Sequence, residues 1–223
     1  MATEEIIILA SSKKHGGRCI AGVTPQTPRW VRPVSPGANG ELYPYHCGTS
    51  GKFPRLLDVV RFDHGGSTNE PDQPENVRIG AEPWEHVERV PVPDAYERLR
   101  PLLQPGPEVL GSRQHYVDAE AAAQGVEASL ALIEPTELSF SLDRHSEKSQ
   151  GSPRAMFNLG GQYYDLPLTE YIVRPRLLER GYGMYTWEDL DLAAPAHPLL
   201  VTSLGTPFNE RHYKLVAAVL PLP

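Results

Sequence analysis

Cysteine, long apolar runs and an excess of positive charge are all scarce in this chain. Only Cys19 and Cys47 occur in 223 residues. That count leaves room for one bridge and does not point to a disulfide scaffold. The apolar stretch Ile6-Ile7-Ile8-Leu9-Ala10 is much too short for a membrane span. It also follows Glu4 and Glu5, where a secretion leader would be basic. These absences read as a cytoplasmic, reduced protein with no membrane association. The formal net charge of −7 argues against indiscriminate wrapping of DNA. There is no collagen-like repeat, no long polar low-complexity tract, and no strand–long-helix–strand rhythm of a parallel α/β sheet.

What the chain has in quantity is punctuation. Its 23 prolines and 19 glycines are spread throughout and separate short apolar runs, a pattern of many strands and turns. Charge is also polarised. Residues 1–35 carry five Lys/Arg against two acids, whereas residues 63–100 carry four against nine. A basic face can therefore coexist with an acidic remainder.

The expected strands in the first part are Ile6–Ala10, Arg18–Val23, Arg29–Val34 and Asp58–Phe62. Alternation puts Trp30, Arg32 and Val34 on one side of their strand, and Arg29, Val31 and Pro33 on the other. Residues 65–76 read as a loop. Mixed-charge residues 84–90 and 94–103 supply the one substantial helix of the middle, beginning near Pro93-Asp94 and stopping before Pro105. A short alanine-rich helix is expected over Asp118–Gln124. Strands then resume at Ala128–Glu134, Leu138–Leu142, Arg154–Leu159 and Gln162–Leu168. The Gly160-Gly161 pair between the last two is a strong hairpin signal. Asp143–Pro153 reads as a polar loop and Trp187–Leu190 as a short helix. Tyr213–Leu220 is nearly all apolar, so it should be central or covered on both faces.

The sum is a mainly β chain of two strand-rich halves, each a small barrel, over 1–92 and 126–223, joined by helical and irregular material over 93–125. Specific motifs give this reading a family. Ser12-Lys13, Gly17-Arg18-Cys19-Ile20-Ala21-Gly22, Trp30-Val31-Arg32-Pro33-Val34-Ser35, Asp58-Val59 and Glu75-Asn76 lie in the first half. Tyr164-Asp165-Leu166-Pro167-Leu168-Thr169, Ser203-Leu204-Gly205-Thr206-Pro207-Phe208 and Tyr213-Lys214-Leu215-Val216-Ala217 lie in the second. Together they resemble the bacterial dual OB-containing domain family over nearly the whole chain. The resemblance implies tandem OB-like domains and a nucleic-acid-related role. It marks Asp58, Asn76, Asp165 and Lys214 as motif residues without assigning them catalysis. Glu170 and Val77 depart from the pattern, where an Asp and an aromatic are more familiar.

The residues with binding chemistry cluster early. Lys13, Lys14, Arg18, Arg29 and Arg32 are candidate phosphate contacts, and Trp30 is either a base-stacking surface or a core residue. Simple alternation cannot put Arg18, Arg29 and Arg32 on one strand face, so the expected surface is a curved rim. Gly16-Gly17 lacks the Lys-Ser/Thr ending of a phosphate-binding P-loop and reads as a tight turn. His15, Cys19, His46 and Cys47 hold zinc-ligand atoms, but not at a common structural spacing. Neither a metal nor a cofactor is expected. Asp58, Asp63 and His64, or Asp165 with His145 or His212, contain acid–base groups without forming a compact constellation. The leading expectation is a non-catalytic module for single-stranded or irregular nucleic acid, DNA or RNA. Alternatives are a protein-interaction or regulatory module with a bacterial protein partner, and an enzyme acting on nucleic acid or a nucleotide.

Overall fold

A computed structural model describes residues 2–37, 39–48, 51–143 and 151–222. The first barrel uses β1 (Ala2–Lys14), β2 (Gly17–Val23), β3 (Trp30–Val34), β4 (Asp58–Ser67) and β5 (Asn76–Ile79). Their order is β1-β2-β3-β5-β4, and β4 pairs back onto β1 to close the ring. The β3–β5 pairing is parallel and the others are antiparallel. A further strand, β6 (Glu85–Arg89), adds to β4 outside the ring. Five strands closed in this way form the small Greek-key barrel of the OB fold.

One long strand can serve both neighbours because β1 is irregular in its middle. Residues 2–7 pair with β4 and residues 7–14 with β2, with a register shift between Ile8 and Ala10. Gly22 sits opposite this shift. A Cβ there would lie 2.1 Å from the Ile7 carbonyl oxygen, so only glycine permits the approach.

After β6 come α1 (Val92–Leu99), a 3₁₀ turn over Arg100–Leu102, β7 (Tyr116–Asp118) and α2 (Ala119–Ala123). The second barrel follows with β8 (Leu130–Ile133), β9 (Thr136–Asp143), β10 (Ser152–Leu159) and β11 (Gln162–Pro167). Next are α3 (Val173–Arg180), β12 (Gly183–Tyr185), a 3₁₀ turn over Glu188–Leu190, β13 (His197–Phe208) and β14 (Arg211–Leu222). The sheet β9-β10-β11 meets β14-β13-β8 through a parallel bridge between Leu168 and Val216. With β8 and β9 taken as two halves of one strand, interrupted at Glu134-Pro135, the circular order repeats that of the first barrel. Proline has no amide hydrogen to give a ladder, which accounts for the interruption.

The two barrels share a core. Alternation along β1 sends Ile6 and Ile8 into the first barrel, with Ile20, Val31, Val60, Phe62 and Val77. Ile7 and Leu9 point the other way and meet Leu130, Leu132, Leu199, Val201, Ala217 and Leu220 of the second barrel. On the far side Ile133, Leu200, Val216 and Val219 turn into the second barrel's own interior. Strands covered on both faces read as unbroken apolar runs, as Ile6–Ala10 and Leu215–Leu220 do. Burying each such Ile or Leu stabilises the fold by about 1.5–3 kcal/mol. Ala95 and Leu99 of α1 pack into the same shared core, so the connecting helix is a structural wedge.

Several expectations shift. Residues 85–89 form β6 rather than helix; their backbone pairs with β4, and their side chains are exposed and largely charged. The helix that does form begins at Val92, with Pro93 in its first turn. β4 extends to Ser67, into the expected loop. The hairpin between β10 and β11 forms at Gly160 and Gly161, both at positive φ. Part of the expected polar loop, residues 144–150, lies outside the described residues.

Candidate functional site

A pocket of about 360 Å³ opens between the barrels. The first barrel lines it with Ser12, Lys13 and Lys14 at the end of β1, His15 in the following turn, Cys19 of β2, Arg32 of β3, and Gln73 of the β4–β5 loop. These elements are strands 2 and 3 and the loops after strands 1 and 4, the surface on which OB barrels carry oligonucleotide and oligosaccharide ligands. The second barrel contributes the facing wall from the β13–β14 hairpin, chiefly Ser203, Thr206, Phe208 and Tyr213. No carboxylate is among these lining residues. Phe208 is 67% exposed and Tyr213 36%, so two rings with accessible surface stand beside Lys13, Lys14 and His15.

The barrels are tied together around this pocket. The Lys13 amide donates to the Thr169 carbonyl at 2.9 Å, and Ser12 bridges to Glu170. Glu170 is buried and accepts the amides of Val173 at 2.6 Å, Arg174 at 2.9 Å, and Ile172, thereby capping the start of α3. Burial pushes its carboxyl above the usual carboxylate range, against the pull of those amides. Glu170 therefore has a structural role.

Arg32 is the most unusual member of the site. Its side chain is 1% exposed. Nη1 donates to Asn76 Oδ1 at 3.4 Å, and Nη2 to Ser129 Oγ at 2.9 Å and Ser203 Oγ at 3.1 Å. Its Nε has no partner among the described residues. The direct partners are neutral, and the nearest acids act one step back. Glu75 accepts from the Ser129 hydroxyl at 2.7 Å and the Ser129 amide at 2.6 Å, and Glu70 accepts from the Asn76 side-chain amide. A guanidinium stays ionised in any such setting, so a fixed positive charge lies beneath the pocket with its compensation relayed rather than direct.

The structure thus brings Lys13, Lys14 and Arg32 into one site, with Asn76 as the partner of Arg32. The other expected residues lie elsewhere. Arg18 is stacked against Phe53 and Tyr171, with its guanidinium carbon 4.3 and 3.9 Å from the two ring centres, and it donates to Ser11. It lines a separate crevice of about 310 Å³. Arg29 is exposed and pairs with Glu4 at 2.6 Å. Trp30 packs against the shared core and lines a larger depression of about 710 Å³ beside residues 102–132. Asp58 accepts the Arg55 amide at 2.8 Å and stands 3.5 Å from Arg89. Asp165 is held by Arg154 at 2.5 Å. Lys214 is fully buried and donates to the carbonyl and hydroxyl of Ser112, each at 2.8 Å. Burial lowers its amine to about 8.

The zinc-ligand atoms do not assemble. Cys47 lies in the interior of the first barrel, where burial pushes its thiol up to about 12, whereas Cys19 is half-buried at the pocket. Both are free thiols, and the described residues contain no group of three or more His, Cys, Asp or Glu placed to hold a metal. Asp63 accepts from Thr3, and His64 lies near Glu4. His145 lies outside the described residues. Sequence reasoning assigns no functional weight to Phe208, Tyr213, Thr206 or Gln73. Thr206, Phe208 and Tyr213 are marked only by the Ser203–Phe208 and Tyr213–Ala217 motifs, which carry no chemistry until the hairpin folds over the first barrel, and Gln73 lies in no motif.

No helix among the described residues is long and apolar enough to cross a membrane. No curated protein matches the chain. Among solved structures, the crystal structure of the tetrameric p202 HIN2 aligns over 98% of this chain and 92% of that one. Its identity is 8% and its TM-score 0.30, a likeness too low to bear on function. The dual OB-containing domain family matches residues 4–219, nearly the whole chain, and agrees with the two rings of equal strand order. The chain belongs to the dual OB-containing domain family.

Proposed function

We propose that this protein is a binding module for single-stranded or otherwise irregular nucleic acid, and that the ligand occupies the pocket between the barrels. One observation carries the reading. On the customary ligand surface of an OB barrel, Lys13, Lys14 and the buried Arg32 converge with the exposed Phe208, and among the described residues no carboxylate lines the pocket. Cations that meet phosphates and a ring that meets an unpaired base are the two components single-strand sites combine. A stacked base contributes about 1–3 kcal/mol, and a duplex offers no free base face for it.

Fluorescence anisotropy with short single-stranded DNA and RNA over a salt series tests this reading. Binding should be saturable at low salt and weaken as salt rises. The combined Lys13→Gln and Lys14→Gln variant should reduce the slope of log affinity against log salt by about 1.4, at roughly 0.7 per lost single-strand phosphate contact. Phe208→Ala should weaken binding about tenfold or more without changing that slope. Absence of saturable binding at low salt, or affinity unchanged in both variants, would sink the proposal.

A further inference from the structure

The customary ligand surface of an OB barrel is an open groove along which a strand can run. Here the second barrel covers it. Thr169 accepts the Lys13 amide, Ser12 bridges to Glu170, and Ser129 and Ser203 both accept from Arg32. These contacts lie on β1 and β3, so the second barrel reaches across both flanks of the surface. What remains is a pocket of about 360 Å³, near the lower end of the range for small-ligand sites and suited to a unit the size of one nucleotide.

The charge around that pocket is concentrated. Lys13 and Lys14 provide mobile ammonium groups at its edge, and Arg32 provides a fixed charge beneath it with no direct carboxylate partner among the described residues. A diester phosphate within a strand carries one negative charge. A phosphomonoester carries about −1.5 to −2 at neutral pH and offers three acceptor oxygens. In a recess next to a desolvated cation, the greater charge gains more from the same donors. Phe208, exposed in the facing wall, is available to the base attached to that phosphate.

We infer that the pocket recognises the end of a strand by seating a terminal phosphomonoester with its base against Phe208, and does not hold a strand passing through. This inference rests on the nucleic-acid reading above, and it adds a ligand class. The shared chemistry is the phosphomonoester, which either a 5′ or a 3′ end can supply.

The test compares one short single-stranded sequence in four forms: 5′-phosphorylated, 3′-phosphorylated, hydroxyl at both ends, and closed into a circle. At least one phosphorylated form should bind about tenfold tighter than the hydroxyl form, a difference of one charge-assisted contact. The circle should bind no better than the hydroxyl form. The matching nucleoside monophosphate should compete with the phosphorylated oligonucleotide. Lys14→Gln should bring the phosphorylated-to-hydroxyl ratio close to one. Arg32→Lys should reduce that ratio because an ammonium keeps the charge but loses the fork. Should Arg32→Lys fail to fold, the half-exposed Lys14 decides the matter. Equal affinity for all four forms would overturn the end-recognition inference and leave the strand-binding proposal standing. No binding of any form would overturn both.

Discussion

The two barrels have the same strand order and solve its main difficulty differently. In each, the first strand must pair with two neighbours that lie on different parts of the ring. The first barrel keeps β1 continuous and shifts its register between Ile8 and Ala10, with six residue pairs to β4 and three parallel pairs between β3 and β5. The second breaks its first strand at Glu134-Pro135, keeps four pairs between β8 and β13, and closes the parallel seam with the single Leu168–Val216 bridge. A bulge preserves the ladder but requires a close backbone approach, whereas a proline gives up a donor and removes that requirement. The division extends to the candidate site. The tightly closed barrel presents the cations, and the more interrupted one supplies the hairpin that covers them.

Gly22→Ala should produce the largest loss. Its added Cβ would meet the Ile7 carbonyl oxygen at 2.1 Å and the Ile8 Cα at 3.3 Å, both backbone atoms of a strand buried on two faces. Neither can retreat without moving the shared core, so a destabilisation of about 3 kcal/mol or more is expected by urea unfolding. A loss below about 1 kcal/mol, the lower end of ordinary overpacking costs, would show that the continuous first strand does not depend on this contact.

Lys214→Met examines the second barrel, where the β14 lysine lies two residues from the Leu168–Val216 bridge. It leaves the Ser112 carbonyl and hydroxyl without their donor, at a cost of about 1–3 kcal/mol, while methionine retains most of the volume and removes the penalty of burying an ammonium. The pH dependence separates these effects. The amine falls to about 8 in the folded protein from an ordinary 10.5, so between those values the unfolded chain binds more protons. Its contribution is full above the unfolded value and is lost as pH falls through about 8. Wild-type stability relative to Lys214→Met should therefore rise from pH 8 to 10.5. A flat difference across that window would mean that the ammonium is not desolvated.

Much of the fold was legible because strand alternation and turn chemistry are local. Arg18–Val23, Arg29–Val34 and the Gly160-Gly161 hairpin lie close to the observed elements. The β6 segment was misread because its charged residues carry no apolar signature, and it is strand only by pairing with β4. The site was legible in part. Lys13, Lys14 and Arg32 were visible as cations, but their separation from Arg18, Arg29 and Trp30 depends on contacts between distant segments. The Ser129 and Ser203 acceptors that enclose Arg32 lie 97 and 171 residues away. No local pattern encodes such partners. Phe208 was hidden for the same reason, since an exposed ring acquires its relevance only from what it faces.

The smallest expected effect gives the sharpest view of this division between the barrels. Arg29 belongs to the same basic run of sequence as Lys13 and Lys14, yet it lies outside the pocket and pairs with Glu4 at the surface. Its side chain is 55% exposed, and an exposed ion pair contributes about 0–1 kcal/mol, so Arg29→Ala should barely alter stability. It should also leave oligonucleotide affinity and its salt slope nearly unchanged, while the paired Lys13 and Lys14 substitutions reduce both. Equal losses in the two cases would mean that ligand is attracted by the summed charge of the amino-terminal region. That outcome would remove the reason for placing it between the barrels, because long-range attraction depends on total charge and is screened over about 10 Å at 0.1 M salt, whereas contact within a pocket depends on position.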